Sequence, residues 1–398
     1  MLLLHFLNVF IYALVFTLCH VELAAESSFS NQETRAVHAT RSLYREKSSR
    51  FGLHKHDFLK VALFIESKLP ELRINHESYL PKEQTGLPCS IEYDAQARRV
   101  FILLPENKYT YIGKGKNKVV TKAIFYNKKP EIVARALQTN IRDAELQMMV
   151  DLQGAHGIMN VLGCTQYEAF GKKYRAIYSK LYSPGSLQYV LAKQYKFSIH
   201  EKMKIALNIL KGLNELHKRN IVHRDVSLGN CLINIGPGKR GMCKIDAVIA
   251  DFGRSDSIVN CQEMRYLAQG HWAYNSPEAL FVGKLKGEDI FATDVYAFGC
   301  ILYHLLFEKA APWLSSRYVG DRATPESERY HALVQKINHY TLRRRDDLLA
   351  KKAQGAISER EDFEYLILSM LNPNPKLRIS ASELYHSMRL IIDNYKNK

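Results

Sequence analysis

Four short stretches of this chain carry residue types and spacings that could handle phosphate groups. "YIGKGKNKVV" (Tyr111–Val120) looks like a glycine-rich phosphate loop. Gly113 and Gly115 let the backbone approach an anion closely, and Lys118 stands where a last glycine is expected. "HRDVSLGN" supplies His223, Arg224, Asp225 and Asn230, "DFG" begins at Asp251, and "SPE" spans Ser276–Glu278. A carboxylate on a rigid loop can orient an alcohol and accept its proton, and phosphates need a cation to screen them. Each stretch alone is a weak signal, but their order along one chain is not.

The elements that must position these residues can be read from periodicity. After Tyr109, short β-type runs dominate to about residue 182 ("VVTKAIFY", "EIVARAL", "YRAIYSKLY"), interrupted by one helical stretch, "RDAELQMMVDL". From about residue 186 helical periodicity takes over, as in "HEKMKIALNILKGLNELHKR" and "DVYAFGCILYHLLF". A β-rich part followed by a helix-rich part predicts two lobes of α+β type, with ligand in the cleft between them. Ahead of the loop, "SIEYDAQARRVFILL" reads as a strand pair around a polar turn. Residues 56–72 have helical spacing with Asp57 as a cap, and these elements form a small appendage.

In this order the motifs resemble the protein kinase superfamily over roughly residues 108–392. The resemblance implies a two-lobed fold that transfers the γ-phosphate of ATP to protein hydroxyls, with Asp225 as base and Asn230 and Asp251 as Mg²⁺ ligands. It also puts Glu145 in the place of the helix glutamate that pairs with the catalytic lysine, and pairs Glu278 with Arg378. Val120 and Ala134 line the nucleotide base, Lys180 to Tyr182 form the hinge, and Ser179 is the gatekeeper. Asp294 matches a helix of the large lobe. Arg224 before Asp225 resembles kinases whose activation segment is ordered by phosphorylation, from an activating kinase or in trans, with Ser255, Ser257 and Tyr266 as candidate sites. Tyr274 favours Ser/Thr substrates.

The pattern breaks on the third strand. "VARA", Val133–Ala136, has alanine where the family has lysine. Side chains alternate along a strand, so Arg135 points away from the face carrying Ala134 and Ala136 and reads as a surface arginine. The same parity puts Lys118 on the face of Val120, beneath the loop, near the phosphates and within reach of Glu145. This resembles the with-no-lysine kinases at this site only, because that group departs from Phe in DFG and this chain does not. Two readings stand: an active kinase whose lysine has moved to the loop, and a pseudokinase that binds nucleotide or acts as a scaffold. Ser227 and His271 replace a lysine and a threonine of one network. His271 either restores hydrogen bonding to Asp225 or substrate, or fills space.

A net charge of +16 over 398 residues favours anionic partners. No basic-aromatic repeat or zinc-like spacing accompanies it, so specific nucleic-acid binding is not expected. The seven cysteines show no framework spacing, and reduced thiols are expected. "LLLHFLNVFIYALVFTL" (Leu2–Leu18) is uncharged and targeting-like, which predicts export or membrane anchoring through residues 1–25, with the catalytic part in an ATP-containing compartment. Residues 26–107 then form a linker and the appendage, and 108–392 the kinase domain.

Overall fold

A computed structural model describes residues 91–396 apart from short stretches, the longest being 264–271 and 314–323. The expected leader, the linker and the helix at 56–72 lie outside the described residues, as do Tyr266 and His271. The chain divides into two compact units, the first ending at Ile141 but including Val161–Leu181, the second formed by Arg142–Asn160 and Tyr182–Lys398.

The first unit is a sheet. Its strands are β1 (Ile91–Asp94), β2 (Arg99–Leu103), β3 (Tyr111–Lys114), β4 (Lys118–Tyr126), β5 (Glu131–Gln138), β6 (Val161–Ala169) and β7 (Lys172–Lys180). They run in the order β1-β2-β4-β5-β7-β6, with β3 also on β4, and neighbours are antiparallel. The strand pair expected as an appendage is therefore the continuation of this sheet. It curls until the outer strands meet: Asp94 Oδ2 accepts from Cys164 N at 2.7 Å, and Thr165 Oγ1 donates to Glu92. Gly163 permits the approach, because a Cβ there would lie 2.8 Å from both Asp94 Oδ2 and the Phe101 ring.

Inside the curl are Phe101, Ala123, Phe125, Val133, Ala176 and Tyr178, with the rings of Phe101 and Tyr178 stacked at 3.7 Å. Arg135 lies on this enclosed face, only 7% exposed. Its Nη2 is 2.6 Å from Glu92 Oε1, and its Nε donates to Tyr178 Oη at 3.2 Å. The surface assignment of Arg135 is thus wrong. Strand parity correctly turns it from the alanine face, but β1 and β2 cover the other face and bring Glu92 to neutralise it. Burial alone would weaken the guanidinium's hold on its proton, yet Glu92 and Tyr178 together raise its pKa further above the ordinary arginine value.

The second unit is mainly helical. It holds α1 (Asp143–Asp151), α2 (Leu187–Ala192), α3 (Ile199–Lys218), α4 (Ile258–Glu263), α5 (Pro277–Phe281), α6 (Glu288–Phe307), α7 (Glu326–Ala353), α8 (Glu359–Met370) and α9 (Ala381–Lys396). α3 starts at a capping box, in which Ser198 Oγ accepts from Glu201 N and the Glu201 carboxylate accepts from Ser198 N. Its buried stripe, including Met203, Ile205, Ala206, Ile209, Leu210, Leu213 and Leu216, recurs at the helical period and packs inward. α6 is apolar enough over Asp289–Phe307 to cross a membrane by length and composition, but 89% of that window is buried as the core helix of this unit. Cys164, Cys231, Cys261 and Cys300 are free thiols, and burial pushes Cys231 and Cys300 up to about 12.

Candidate active site

In the first unit the hairpin register fixes which side chains share a face. Lys118 lies opposite Gln138, Val120 opposite Ala136, and Lys122 opposite Ala134, while Arg135 lies opposite Thr121 and Tyr178. Directly opposed residues of an antiparallel pair project to the same side. Lys118, Val120, Ala134, Ala136 and Ser179 therefore share one face of the sheet and Arg135 the other. The loop closes through Gly115 N, which donates to Lys118 O at 2.8 Å. A Cβ on Gly115 would sit 3.3 Å from Lys118 Cγ and 3.7 Å from its Cε, so the lysine's aliphatic stem runs along the glycine. Gly113 has open space where a Cβ would be and lies at an irregularity of the β3 register. Lys180 ends β7, exposed, whereas Tyr182, the first residue of the stretch that returns to the second unit, is buried, with its hydroxyl pushed up to about 12 by that burial.

In the second unit the loop after α3 is held from below by one buried carboxylate. Asp294 of α6, 1% exposed, accepts from His223 N at 2.7 Å and Arg224 N at 2.9 Å, and lies 3.1 Å from His217 Nε2. Burial pushes its proton affinity up, but the bonds and charges of His217 and His223 outweigh that and hold its carboxyl below the ordinary carboxylate value. His223 is fully buried, its Nε2 3.2 Å from Ala250 O. Arg224 takes the left-handed conformation (φ 65°), a position where a side chain is rarely placed without surrounding constraint. The turn presents Asp225, whose N lies 3.3 Å from His223 Nδ1 and whose carbonyl oxygen accepts from Asn230 Nδ2 at 2.8 Å.

A hairpin brings the other oxygen donors alongside. β8 (Cys231–Pro237) pairs with β9 (Cys243–Ile249) so that Cys231 faces Ile249. Asn230 and Asp251 therefore leave the hairpin at the same end, and Ala250 N donates to Asn230 O at 2.8 Å. Asp251 also has positive φ (69°), and its Oδ1 accepts from Gly253 N at 3.4 Å. Glu145 of α1, 4% exposed, closes on the same glycine: a Cβ on Gly253 would lie 3.3 Å from Asp251 Oδ1 and 3.5 Å from Glu145 Oε1. A side chain at 253 would therefore press on Asp251 and touch Glu145.

The segment beyond is tied down too. Arg142, just before α1, donates from Nη2 to Gly253 O (3.0 Å) and Ser255 O (3.1 Å). Asp256 pairs with Ile221–Val222 through its short strand (Asp256–Ser257) and lies 3.8 Å from Arg224 and 3.9 Å from Arg142. Ser255, expected as a phosphorylation candidate, is 2% exposed and donates its hydroxyl to His223 O, so it serves the loop's packing and is not presented to another enzyme. Ser257 Oγ accepts from Asn260 N. Glu278 and Arg378 form the expected pair, buried and forked at 2.5 and 2.8 Å, with Arg378 also bonded to Asn372, Ala292 and Pro373 carbonyls. Sequence reasoning did not single out Arg254, whose Nε lies 3.6 Å from Asp225 Oδ2; its only signal was a cation next to DFG.

Among the described residues no cluster of three or more His, Cys, Asp or Glu forms a metal cage. Mg²⁺ does not require one, since it is held by one or two carboxylates together with substrate phosphates, and an Asn amide oxygen beside an Asp carboxylate is a donor set of that kind.

A curled sheet with a glycine loop, and a helical unit presenting Asp225, Asn230 and Asp251 from a buried scaffold, are the two parts of an α+β protein kinase fold. The chain belongs to the protein kinase domain family, which matches residues 107–388. It is 29% identical over 216 residues to the probable serine/threonine-protein kinase gdt4 of Dictyostelium discoideum, a match covering 54% of this chain and 12% of that protein. It is 26% identical over 214 residues to serine/threonine-protein kinase 40 of Gallus gallus, covering 53% of this chain and 41% of the relative. With mitogen-activated protein kinase kinase 10 of Arabidopsis thaliana it shares 30% identity over 198 residues, 49% of this chain and 60% of the relative.

Proposed function

We propose that this chain is an active, Mg-ATP-dependent protein kinase directed to serine and threonine hydroxyls, in which Lys118 does the work of the lysine missing at Ala136. The observation that carries this reading is the β4–β5 register, which sets Lys118 on the face of Val120 and Ala134 with its stem along Gly115. A compact ammonium there supplies the point charge that phosphates require. Asp225 accepts the substrate's hydroxyl proton, and Asn230 and Asp251 would hold the metal. Mg²⁺, when bound, screens the phosphate oxygens. On the sheet unit, Gly113, Gly115, Val120, Ala134 and Lys180 would contact the nucleotide, and Tyr182 keeps the hinge role that the kinase resemblance implies. The similarity to serine/threonine kinases and to a kinase kinase favours Ser/Thr substrates and membership of a phosphorylation relay.

The test is transfer of labelled γ-phosphate from Mg-ATP to a generic basic protein and to the chain itself, by the parent and by Asp225→Asn. Transfer by the parent that falls by about 10³-fold in the variant supports an enzyme. Nucleotide binding without transfer, after treatment with an activating kinase, makes it a pseudokinase. We further propose that Leu2–Leu18 anchors the chain with its kinase part facing ATP; recovery of the full chain in the soluble fraction at high salt would contradict this.

A further inference from the structure

Residue 227, two past Asp225, is a serine, 8% exposed and uncharged. A cation nevertheless stands at the catalytic loop: Arg254 Nε is 3.6 Å from Asp225 Oδ2. The pair is open to solvent, with side chains 48% and 19% exposed, so its contribution to stability is small and does not account for its placement. That placement is determined by the backbone on both sides of Arg254. Gly253 N is bonded to Asp251, Gly253 O and Ser255 O accept from Arg142, Ser255 N donates to Phe252 O at 3.0 Å, and Ser255 Oγ donates to His223 O. These anchors come from the parts of the unit that carry Asp225, Asp251 and Glu145.

We infer that Arg254 is the positioning cation of this catalytic loop: it orients the Asp225 carboxylate and supplies, from the far side of the DFG turn, the positive charge that position 227 lacks. The inference rests on the phosphotransfer reading above. In that reaction a lone pair of the substrate hydroxyl oxygen forms the bond to the γ-phosphorus. The bond from that phosphorus to the β–γ bridging oxygen breaks, its electron pair leaves with the nucleoside diphosphate, and the hydroxyl proton passes to Asp225. Arg254 takes no proton, because a guanidinium stays charged throughout. It holds the accepting carboxylate in one orientation and offsets negative charge gathering beside it. The sites of charge and chain attachment have separated: the charge comes from residue 254 and the buried chain position is filled by Ser227.

The experiment uses the full chain, comparing kcat and KM for γ-phosphate transfer to a basic protein in the parent, Arg254→Gln, Arg254→Lys, Ser227→Lys, and the double variant Arg254→Gln with Ser227→Lys. Arg254→Gln is expected to lower kcat about 100-fold with the KM for ATP little changed, and Arg254→Lys to stay within about 10-fold of the parent. A lysine at 227 is expected to return most of the lost rate to Arg254→Gln, which a merely structural arginine would not permit. Arg254→Gln as fast as the parent overturns the inference. So does a loss that Ser227→Lys fails to restore in a double variant that melts at the parent's temperature. A parent that is silent while Ser227→Lys transfers phosphate also overturns it, since Arg254 then fails to supply the charge. Silence of both, with nucleotide bound, means that the phosphotransfer reading has failed and this inference with it.

Discussion

The sheet unit and the helical unit both bury charge, and they use it differently. In the helical unit, Asp294 and Arg378 are bonded chiefly to backbone: Asp294 to the amides of His223 and Arg224, Arg378 to three carbonyls as well as Glu278. Such a charge fixes the course of a loop, and the loop carries the chemistry. In the sheet unit, Arg135 and Glu92 are bonded to each other and to the hydroxyls of Tyr178 and Thr165. This charge fixes which strand covers which face. One buried charge positions reacting groups, and the other fastens β1 over a core without touching them.

If that difference is real, the largest effect should come from Asp294→Ala. It leaves the buried amide of His223 and the part-buried amide of Arg224 without their acceptor, and a loss of about 3–5 kcal/mol is expected, typical of breaking a buried charged network, together with loss of phosphoryl transfer. Denaturant unfolding and the transfer assay check both. Arg135→Met should cost about 3 kcal/mol by removing the counter-ion of the part-buried Glu92, which keeps only the hydroxyls of Thr165 and Tyr178, but activity per folded molecule should persist. Arg135→Met combined with Glu92→Leu should recover part of the stability, and equal losses in activity and in folded fraction would blur the distinction between the two units.

Acid provides a subtler probe. Because the folded Asp294 carboxyl titrates below its unfolded value, it contributes stability fully present above about pH 4 and lost as pH falls through the folded value. Asp294→Asn should therefore flatten the acid limb of stability against pH, measured by denaturant midpoints between pH 5 and pH 2. The smallest effect is expected at the α3 cap. Ser198→Ala should cost about 1 kcal/mol and leave the rate per folded molecule unchanged, as thermal melting and the transfer assay would record.

Much of the helical unit is legible in the sequence, because its signals are local. The apolar period of α3 and the "DFG" turn are short patterns that the fold leaves intact, whereas the pairing of Glu278 with Arg378, one hundred residues apart, is legible only through the family resemblance. The sheet unit is less so. Separating Lys118 from Arg135 needs only the alternation within β4 and within β5. Alternation does not report what covers the opposite face, and the cover here comes from β1 and β2, ahead of the residues matched by the family. Hence Arg135 reads as exposed and is buried. Ser255 is missed for a related reason: a hydroxyl after "DFG" looks accessible until the carbonyl of His223 is brought to it by a strand of only two residues. Arg254 needs two distant turns to meet, which no local pattern records.

The central claim is that the lysine has moved from the third strand to the loop without leaving its face of the sheet. Val120 lies opposite Ala136, so a lysine at 136 would project from the same face as Lys118. The most direct measurement is kcat/KM for Mg-ATP in the parent, in Lys118→Met, and in Lys118→Met combined with Ala136→Lys. The expected result is a loss of at least about 100-fold in Lys118→Met and substantial recovery when the lysine is returned to position 136. Lys118→Met transferring phosphate as well as the parent would contradict it.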